Sequence, residues 1–266
     1  MAPGGHDGQR GRGRWGLAAL GALLLLSLLG NVGALRYARQ LYGELAATRL
    51  HPLGLAFVNT DDLGPPDPAR PRVVLLGDSR VEEWPLPTDA DAGRYEFVNL
   101  GLDTQTSAQV ALRFERQVPP LAPRVVVLQV GINDLKAIGL YPELEEEIVG
   151  ELLVNLRGLV DASRAAGARV VLTTLFPLGE PSLARRLVWS PAVDAAVDRV
   201  NAELLGWADA RWTADEVLVL DTAEALGGPD GRLRPGLGRD LLHLRPESYT
   251  HLDARLLPAL DELLHR

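Results

Sequence analysis

The stretch VVLLGDS, residues 73–79, joins a short apolar run to a polar turn. Four consecutive Val and Leu residues are too few for a helix, and the lack of polar alternation is typical of a strand buried on both faces of a parallel sheet. Similar runs follow at 97–100, 125–130, 170–175 and 217–220. The sequence therefore predicts five strands in one parallel sheet.

Helical patterns separate these strands. Apolar residues between 143 and 167 recur at helical spacing behind an acidic first turn, and Gly167 is a typical stop. Ser190 and Pro191 fit the cap and first turn of another helix, and Pro246 begins the last one. Strands that alternate with helices indicate a doubly wound α/β sandwich, in which sites lie at the carboxyl ends of the strands.

An apolar segment occupies residues 15–35, and three arginines precede it. Its length is close to the ~20 residues that a membrane-spanning helix needs. Because basic flanks stay in the cytoplasm, we expect a cytoplasmic tail at 1–14, a membrane anchor at 15–35 and everything beyond on the far side. The alternative is a cleaved signal peptide with its apolar core at 17–29, which would also export the rest of the chain.

A linker is predicted between this segment and the globular part. Residues 36–50 fit a helical continuation, whereas the GPPDP run at 64–68 cannot hold a helix. We therefore expect a helical extension and Pro-rich linker over 36–71, followed by one globular domain over 72–266. A chain of 266 residues with 47% hydrophobic content has enough apolar residues for one sizeable core.

Composition excludes several classes of function. The net charge of −8 and the lack of basic runs beyond the N-terminal arginines argue against a nucleic-acid partner. Without cysteine there are no disulfides or thiolate metal sites, and the five histidines form no metal-binding motif, so we expect neither metal nor cofactor. No dinucleotide fingerprint follows the first strand, and no Gly-x-Ser-x-Gly elbow is present.

Three polar motifs lie where the sheet is predicted to present its carboxyl edge. They are GDS at 77–79, GIND at 131–134 and DLLH at 240–243. A serine hydroxyl attacks an ester only when a neutral imidazole takes its proton, and that imidazole needs an acceptor on its other nitrogen. Ser79, His243 and Asp240 suit these three roles. Each motif alone is an ordinary turn, but their joint placement favours an active site.

These motifs resemble those of the SGNH hydrolases, also called GDSL-type esterases or lipases, over roughly residues 72–266. The resemblance implies a flavodoxin-like three-layer sandwich that uses Ser79, His243 and Asp240 as a catalytic triad. It further implies an oxyanion hole built from the backbone N–H groups of Ser79 and Gly101 and the side-chain amide of Asn133. A glycine at 101 would let the backbone approach the substrate closely.

Two segments near the motifs each have two interpretations. Residues 80–84 (RVEEW) differ from the small or hydroxylic residues usual in the family at this place. Their charged members either line the mouth of the site or form a solvated first helical turn. The loop at 177–190 either forms a substrate rim or is an amphipathic connection. Asp78 and Asp134 are expected to brace their loops by hydrogen bonds.

The resulting expectation is a serine esterase that hydrolyses short-chain, O-acetyl-type esters through an acyl-enzyme. Its partners would be a small-molecule or glycan ester and, through the N-terminal helix, a membrane. Two alternatives remain: an O-acyltransferase that passes the acyl group to a glycan hydroxyl, and a non-catalytic tethered binding module. The intact triad disfavours the last of these.

Overall fold

The computed structural model describes residues 7–50, 63–87, 92–186, 189–207 and 212–265. The chain divides into two compact units, Met1–Leu55 and Ala56–Arg266. The first unit contains the long helix α1, Asp7–Leu50. Its stretch Trp15–Gly43 is long and apolar enough to cross a membrane, with mean hydropathy 2.0. A helix of this kind is typical of a membrane anchor and of a signal peptide alike. Residues 51–62 of the predicted linker lie outside the described residues.

The second unit is built on a five-stranded parallel sheet. Its strands are β1 Arg72–Gly77, β2 Glu96–Gly101, β3 Val125–Gln129, β4 Arg169–Thr173 and β5 Val217–Leu220. Their order is β2-β1-β3-β4-β5, and every neighbouring pair is parallel. This is the flavodoxin-like order, so the predicted fold class is confirmed. The chain reverses its direction of growth between β1 and β3, which is where such folds form their crevice.

Helices cover both faces of this sheet. They are α2 Ser79–Glu82, α3 Ser107–Gln117, α4 Ile132–Leu135, α5 Glu145–Ala165, α6 Leu183–Arg186, α7 Pro191–Trp207, α8 Thr222–Leu226 and α9 Thr250–His265. Short 3₁₀ turns lie at Ala92–Arg94, Pro119–Leu121, Lys136–Gly139, Pro142–Leu144 and Pro246–Tyr249. The helices predicted to start at 190–191 and to stop near Gly167 are present. The last helix is preceded by one 3₁₀ turn.

The core has two layers, one on each face of the sheet. Val74 and Leu76 of β1 join a cluster that includes residues of α3, α5 and α7. Val73 and Leu75, which alternate with them, join a second cluster that includes residues of α9. All four side chains are fully buried. A uniformly apolar run is what burial on both faces requires, which explains why these strands are recognisable in the sequence.

Helix α3 is absent from the sequence prediction. Its inward face carries Arg113, which is 1% exposed, between the apolar Val110 and Phe114. A buried cation in that position breaks the apolar repeat on which the prediction depends. The capping box of Thr106 and Gln109 is the signal that marks its start. Arg113 donates hydrogen bonds to the carbonyl oxygens at the ends of β1 and β2, so α3 helps to fix the edge that carries the motifs.

Candidate active site

Ser79 lies in a tight turn between β1 and α2. Asp78 caps α2, because its Oδ1 accepts a hydrogen bond from the Arg80 N–H at 3.0 Å. Gly77 precedes it, and a Cβ at that position would lie 1.9 Å from the carbonyl oxygen of Gln129 in β3. Only glycine permits this approach of the two strands. The turn leaves Ser79 5% exposed, at the crevice between β1 and β3.

Ser79, His243 and Asp240 form one line of hydrogen bonds. The distance from Ser79 Oγ to His243 Nε2 is 3.0 Å. His243 Nδ1 lies 3.0 Å from Asp240 Oδ2 and 3.1 Å from Oδ1. An ionised carboxylate only accepts hydrogen bonds, so Nδ1 carries the proton of a neutral imidazole and Nε2 is left to accept from the serine. The structure thus brings together the three residues that the sequence selected.

Asp240 is held as an anion by the loop that follows it. Its Oδ1 accepts backbone N–H hydrogen bonds from Leu242 at 2.8 Å and from His243 at 2.9 Å. Partial burial alone would raise the pKa of Asp240, but these hydrogen bonds and the imidazole hold that pKa below its ordinary value. The same carboxylate therefore shapes the loop and orients the ring.

The two interpretations of the charged residues in 80–84 are both wrong for Arg80, which is 0% exposed and so neither lines the mouth of the site nor faces solvent. The uncharged Trp84, at the end of this stretch, is also buried, at 1% exposed. Trp84 packs against Phe176 and Tyr249, and its indole N–H donates to Asp253 in α9 at 2.8 Å. The reason is that α2 packs into the apolar layer shared with α9, which no local pattern shows.

The buried Arg80 joins the serine turn to the histidine loop. Its Nε donates to the carbonyl oxygen of Leu242 at 3.0 Å, and its guanidinium lies 5.1 Å from the centre of the Phe176 ring. Tyr249 donates its hydroxyl hydrogen to the Arg80 carbonyl oxygen at 2.8 Å. The residue after the nucleophile therefore supports the segment that carries the base.

Asn133 lies in α4, directly after β3. Its Nδ2 donates to the carbonyl oxygen of Gln105 at 3.0 Å. A side-chain amide nitrogen has two hydrogens, so one remains for a ligand. Asn133 lines the same cavity as Ser79 and His243. The predicted side-chain donor therefore shares a cavity with the predicted nucleophile.

Gly101 has a different environment from the one expected. Its N–H donates to Asn99 Oδ1 at 2.8 Å, and a Cβ would lie 2.0 Å from the backbone nitrogen of Glu82. The glycine thus allows β2 to pack closely against α2, and its N–H already has an acceptor. Gly101 is not among the described residues that line the cavity, whereas Thr104 is. Thr104 has φ +62°, a left-handed conformation uncommon for a residue other than glycine, and the sequence gives no sign of it.

The cavity above Ser79 has a volume of about 720 Å³. The residues that line it include Ser79, Asn133 and His243. Part of its wall comes from the loop at 177–190, which contributes Glu180, Pro181, Ser182 and Arg185. The described part of this loop therefore agrees with the first of its two interpretations, a rim around the cavity.

Two buried carboxylates brace the turns below the site. Burial raises the pKa of Asp78 to about 6, despite the Arg80 cation nearby. Burial also raises the pKa of Asp134, although it accepts hydrogen bonds from the N–H of Ser107 at 2.9 Å and from its hydroxyl at 2.6 Å. These contacts agree with the expectation that both aspartates brace loops. Within the described ranges, no group of three His, Cys, Asp or Glu side chains is placed to hold a metal ion.

One family model and two solved structures match this chain over most of its length. The model of the GDSL-like Lipase/Acylhydrolase family matches residues 60–251. A candidate acylhydrolase from Bacteroides fragilis is 26% identical, with TM-score 0.59, over 77% of this chain and 93% of that chain. A GDSL-like lipase from Bacteroides thetaiotaomicron is 25% identical, with TM-score 0.59, over 76% and 93%.

A third solved structure shares the fold. It is a variant of an acetyl-xylooligosaccharide esterase from a Geobacillus species, 20% identical, with TM-score 0.51, over 71% of this chain and 94% of that chain. No curated protein matches the chain.

Proposed function

Because the chain belongs to the GDSL-like lipase/acylhydrolase family, it is an ester-hydrolysing serine hydrolase, and we propose that Ser79, His243 and Asp240 are its catalytic triad. The observation that carries this proposal is the hydrogen-bonded line from Ser79 Oγ through the imidazole to the Asp240 carboxylate. It supplies a nucleophile, a base with the correct tautomer and an anion that stabilises the imidazolium.

The reaction would proceed in two steps. In the first, His243 Nε2 takes the proton of Ser79 Oγ while Oγ attacks the ester carbonyl carbon, and the imidazolium then protonates the departing alcohol. This leaves an acyl group on Ser79. In the second, His243 Nε2 takes a proton from water as the water oxygen attacks the acyl carbon. The bond from that carbon to Ser79 Oγ then breaks, the imidazolium returns the proton to Oγ, and the carboxylic acid leaves. Asp240 keeps its negative charge throughout.

The charge that develops on the carbonyl oxygen needs donors aimed at it. We assign this role to the N–H of Ser79 and to the free Nδ2 hydrogen of Asn133. A third donor is the N–H of Thr104, in place of Gly101, whose N–H is bonded to Asn99. No described residue accepts a hydrogen bond from the N–H groups of Ser79 or Thr104.

The cavity wall favours short acyl groups on polar alcohols. The residues that line it include the charged Asp103, Glu180 and Arg185, and a long alkyl chain placed beside them would desolvate these groups at a cost in free energy. We propose O-acetyl-type esters of small molecules or glycans as substrates.

A series of p-nitrophenyl esters from acetate to decanoate should show kcat/KM falling with chain length. Repeating it with a sugar acceptor separates hydrolysis from acyl transfer, because a transferase forms the acylated sugar.

Asn133→Ala is expected to lower kcat by about 10²–10³, the usual loss for one oxyanion donor. KM should change little, because the donor acts on charge that exists only in the transition state. Steady-state kinetics on a short ester measure this. Asn155→Ala is a control of the same residue type, because the Asn155 amide also donates a hydrogen bond within the protein, to Ser107 Oγ at 3.0 Å, away from the cavity. Equal activity of the two variants would reassign Asn133 to a structural role.

We propose that residues 15–35 anchor the chain in a membrane, with 1–14 in the cytoplasm and 72–266 outside it. Protease added to spheroplasts that express the protein should release an active fragment that begins between about residues 35 and 71, because the Pro-rich segment is accessible. An N-terminal epitope tag should stay protected. Protection of the whole chain, with an exported control protein digested, would contradict an exported domain.

A further inference from the structure

The cavity contains the only lysine of the 266-residue chain, Lys136. The chain has 27 Lys and Arg residues, and all of them except Lys136 are arginine. Lys136 begins the 3₁₀ turn Lys136–Gly139, directly after α4, so it lies one helical turn beyond Asn133. Arginine is the basic residue used at every other position, so the one lysine in the cavity is a departure from the chain's usual cation.

Lys136 is bonded to the proposed oxyanion donor. Its Nζ donates to Asn133 Oδ1 at 3.0 Å. An ammonium group has only donors, so the atom that faces it must be the amide oxygen. On the other side, Nδ2 faces the carbonyl oxygen of Gln105. The two contacts together select one of the two orientations of the amide, the one in which nitrogen is available to the cavity.

Among the residues that the structure describes, no carboxylate lies within 4.0 Å of Lys136 Nζ, so none of them forms an ion pair with it. Burial, and then the Arg185 cation, lower the pKa of Lys136, while Asp103 and Asp78 act in the opposite direction. A cation on the oxygen of an amide draws electron density from its nitrogen, which makes the remaining N–H a stronger donor.

We propose that Lys136 is a positioning residue that fixes the Asn133 amide and strengthens its N–H as a donor to the developing oxyanion. This inference rests on the proposed function, since it assigns Lys136 to the same reaction. Lys136 acts through Asn133 and does not itself touch the substrate. In the competing role, Lys136 would bind an anionic group of the substrate directly and would not act through Asn133.

A double-mutant cycle separates the two roles. On neutral p-nitrophenyl acetate, Lys136→Met should lower kcat about tenfold, less than loss of the donor itself, with KM within about twofold. Lys136→Arg, which keeps the charge and donors, should retain most of kcat. In the Asn133→Ala background, Lys136→Met should cause no further loss. An equal loss in both backgrounds, or an effect confined to KM, would overturn the proposal.

An NMR measurement tests the contact without using activity. Protein grown with ¹⁵N-lysine contains a single labelled side chain, so its ammonium signal needs no assignment among lysines. Asn133→Ala should shift this signal, whereas Asn155→Ala should leave it in place. An unchanged signal in Asn133→Ala would contradict the contact. If the contact is present but Ser79→Ala retains activity, the proposed function has failed and not the Lys136–Asn133 geometry.

Discussion

Replacing Ser79 by alanine is expected to lower kcat by about 10⁶, the loss typical of removing the nucleophile of a triad. The reason is geometric: the hydroxyl oxygen is the only atom of this turn held 3.0 Å from His243 Nε2. The fold should persist, because Asp78 and Gly77 shape the turn and the serine side chain makes no other hydrogen bond in the described structure.

The measurement has two parts. Steady-state hydrolysis of a short ester gives kcat, and a fluorophosphonate probe followed by peptide mass spectrometry locates the reactive hydroxyl. Labelling should occur at Ser79 and disappear in Ser79→Ala. Ser163→Ala is the control, because Ser163 is also buried and bonds to the Leu159 carbonyl oxygen within α5, away from the cavity. Probe attachment at another serine would remove Ser79 from the mechanism.

Asp240→Asn should lower kcat by about 10⁴ while leaving the fold intact. The asparagine carbonyl oxygen can still accept the N–H hydrogen bonds of Leu242 and His243 that close the loop. Its amide nitrogen, however, donates to His243 and stabilises the tautomer in which Nε2 carries the proton. Nε2 then cannot accept the serine proton, and no anion is present to stabilise the imidazolium.

Asp221→Asn is the matched control for this substitution. Asp221 Oδ1 accepts a hydrogen bond from the N–H of Ala223 at 2.8 Å, the same local turn that Asp240 forms with Leu242. Both variants should unfold at similar temperatures, and only Asp240→Asn should lose activity. A loss below tenfold in Asp240→Asn would show that His243 is oriented by another group.

The parts of the fold visible in the sequence are those fixed by local pattern. Each buried strand is a run of Val and Leu residues, because both of its faces meet apolar layers. Helix α3 is not visible, because Arg113 occupies its buried face and satisfies strand-end carbonyl groups that are distant in the chain. A cation in such a position is recognisable only when its acceptors are known.

The same distinction applies to the site. Ser79, Asn133, Asp240 and His243 belong to short motifs whose spacing is local, so the sequence identifies them. The burial of Arg80 depends on its contacts with the Leu242 carbonyl oxygen and the Phe176 ring, and the surroundings of Gly101 depend on the close approach of β2 and α2. In neither case are the contacting residues neighbours in the sequence. The sequence distinguishes Lys136 in one respect, because it is the only lysine in a chain that otherwise uses arginine.

The separation of Ser79 and His243 by 164 residues has a consequence for biosynthesis. In the proposed mechanism, the ribosome makes the nucleophile Ser79 early and the base His243 near the end, and contacts between segments so far apart in a parallel sheet form slowly. A nascent chain that has reached β4 already contains the Ser79 hydroxyl but has no His243 imidazole to activate it. We therefore expect the enzyme to be inactive while it is being synthesised. Activity should begin only when the loop that carries His243 docks against the completed sheet.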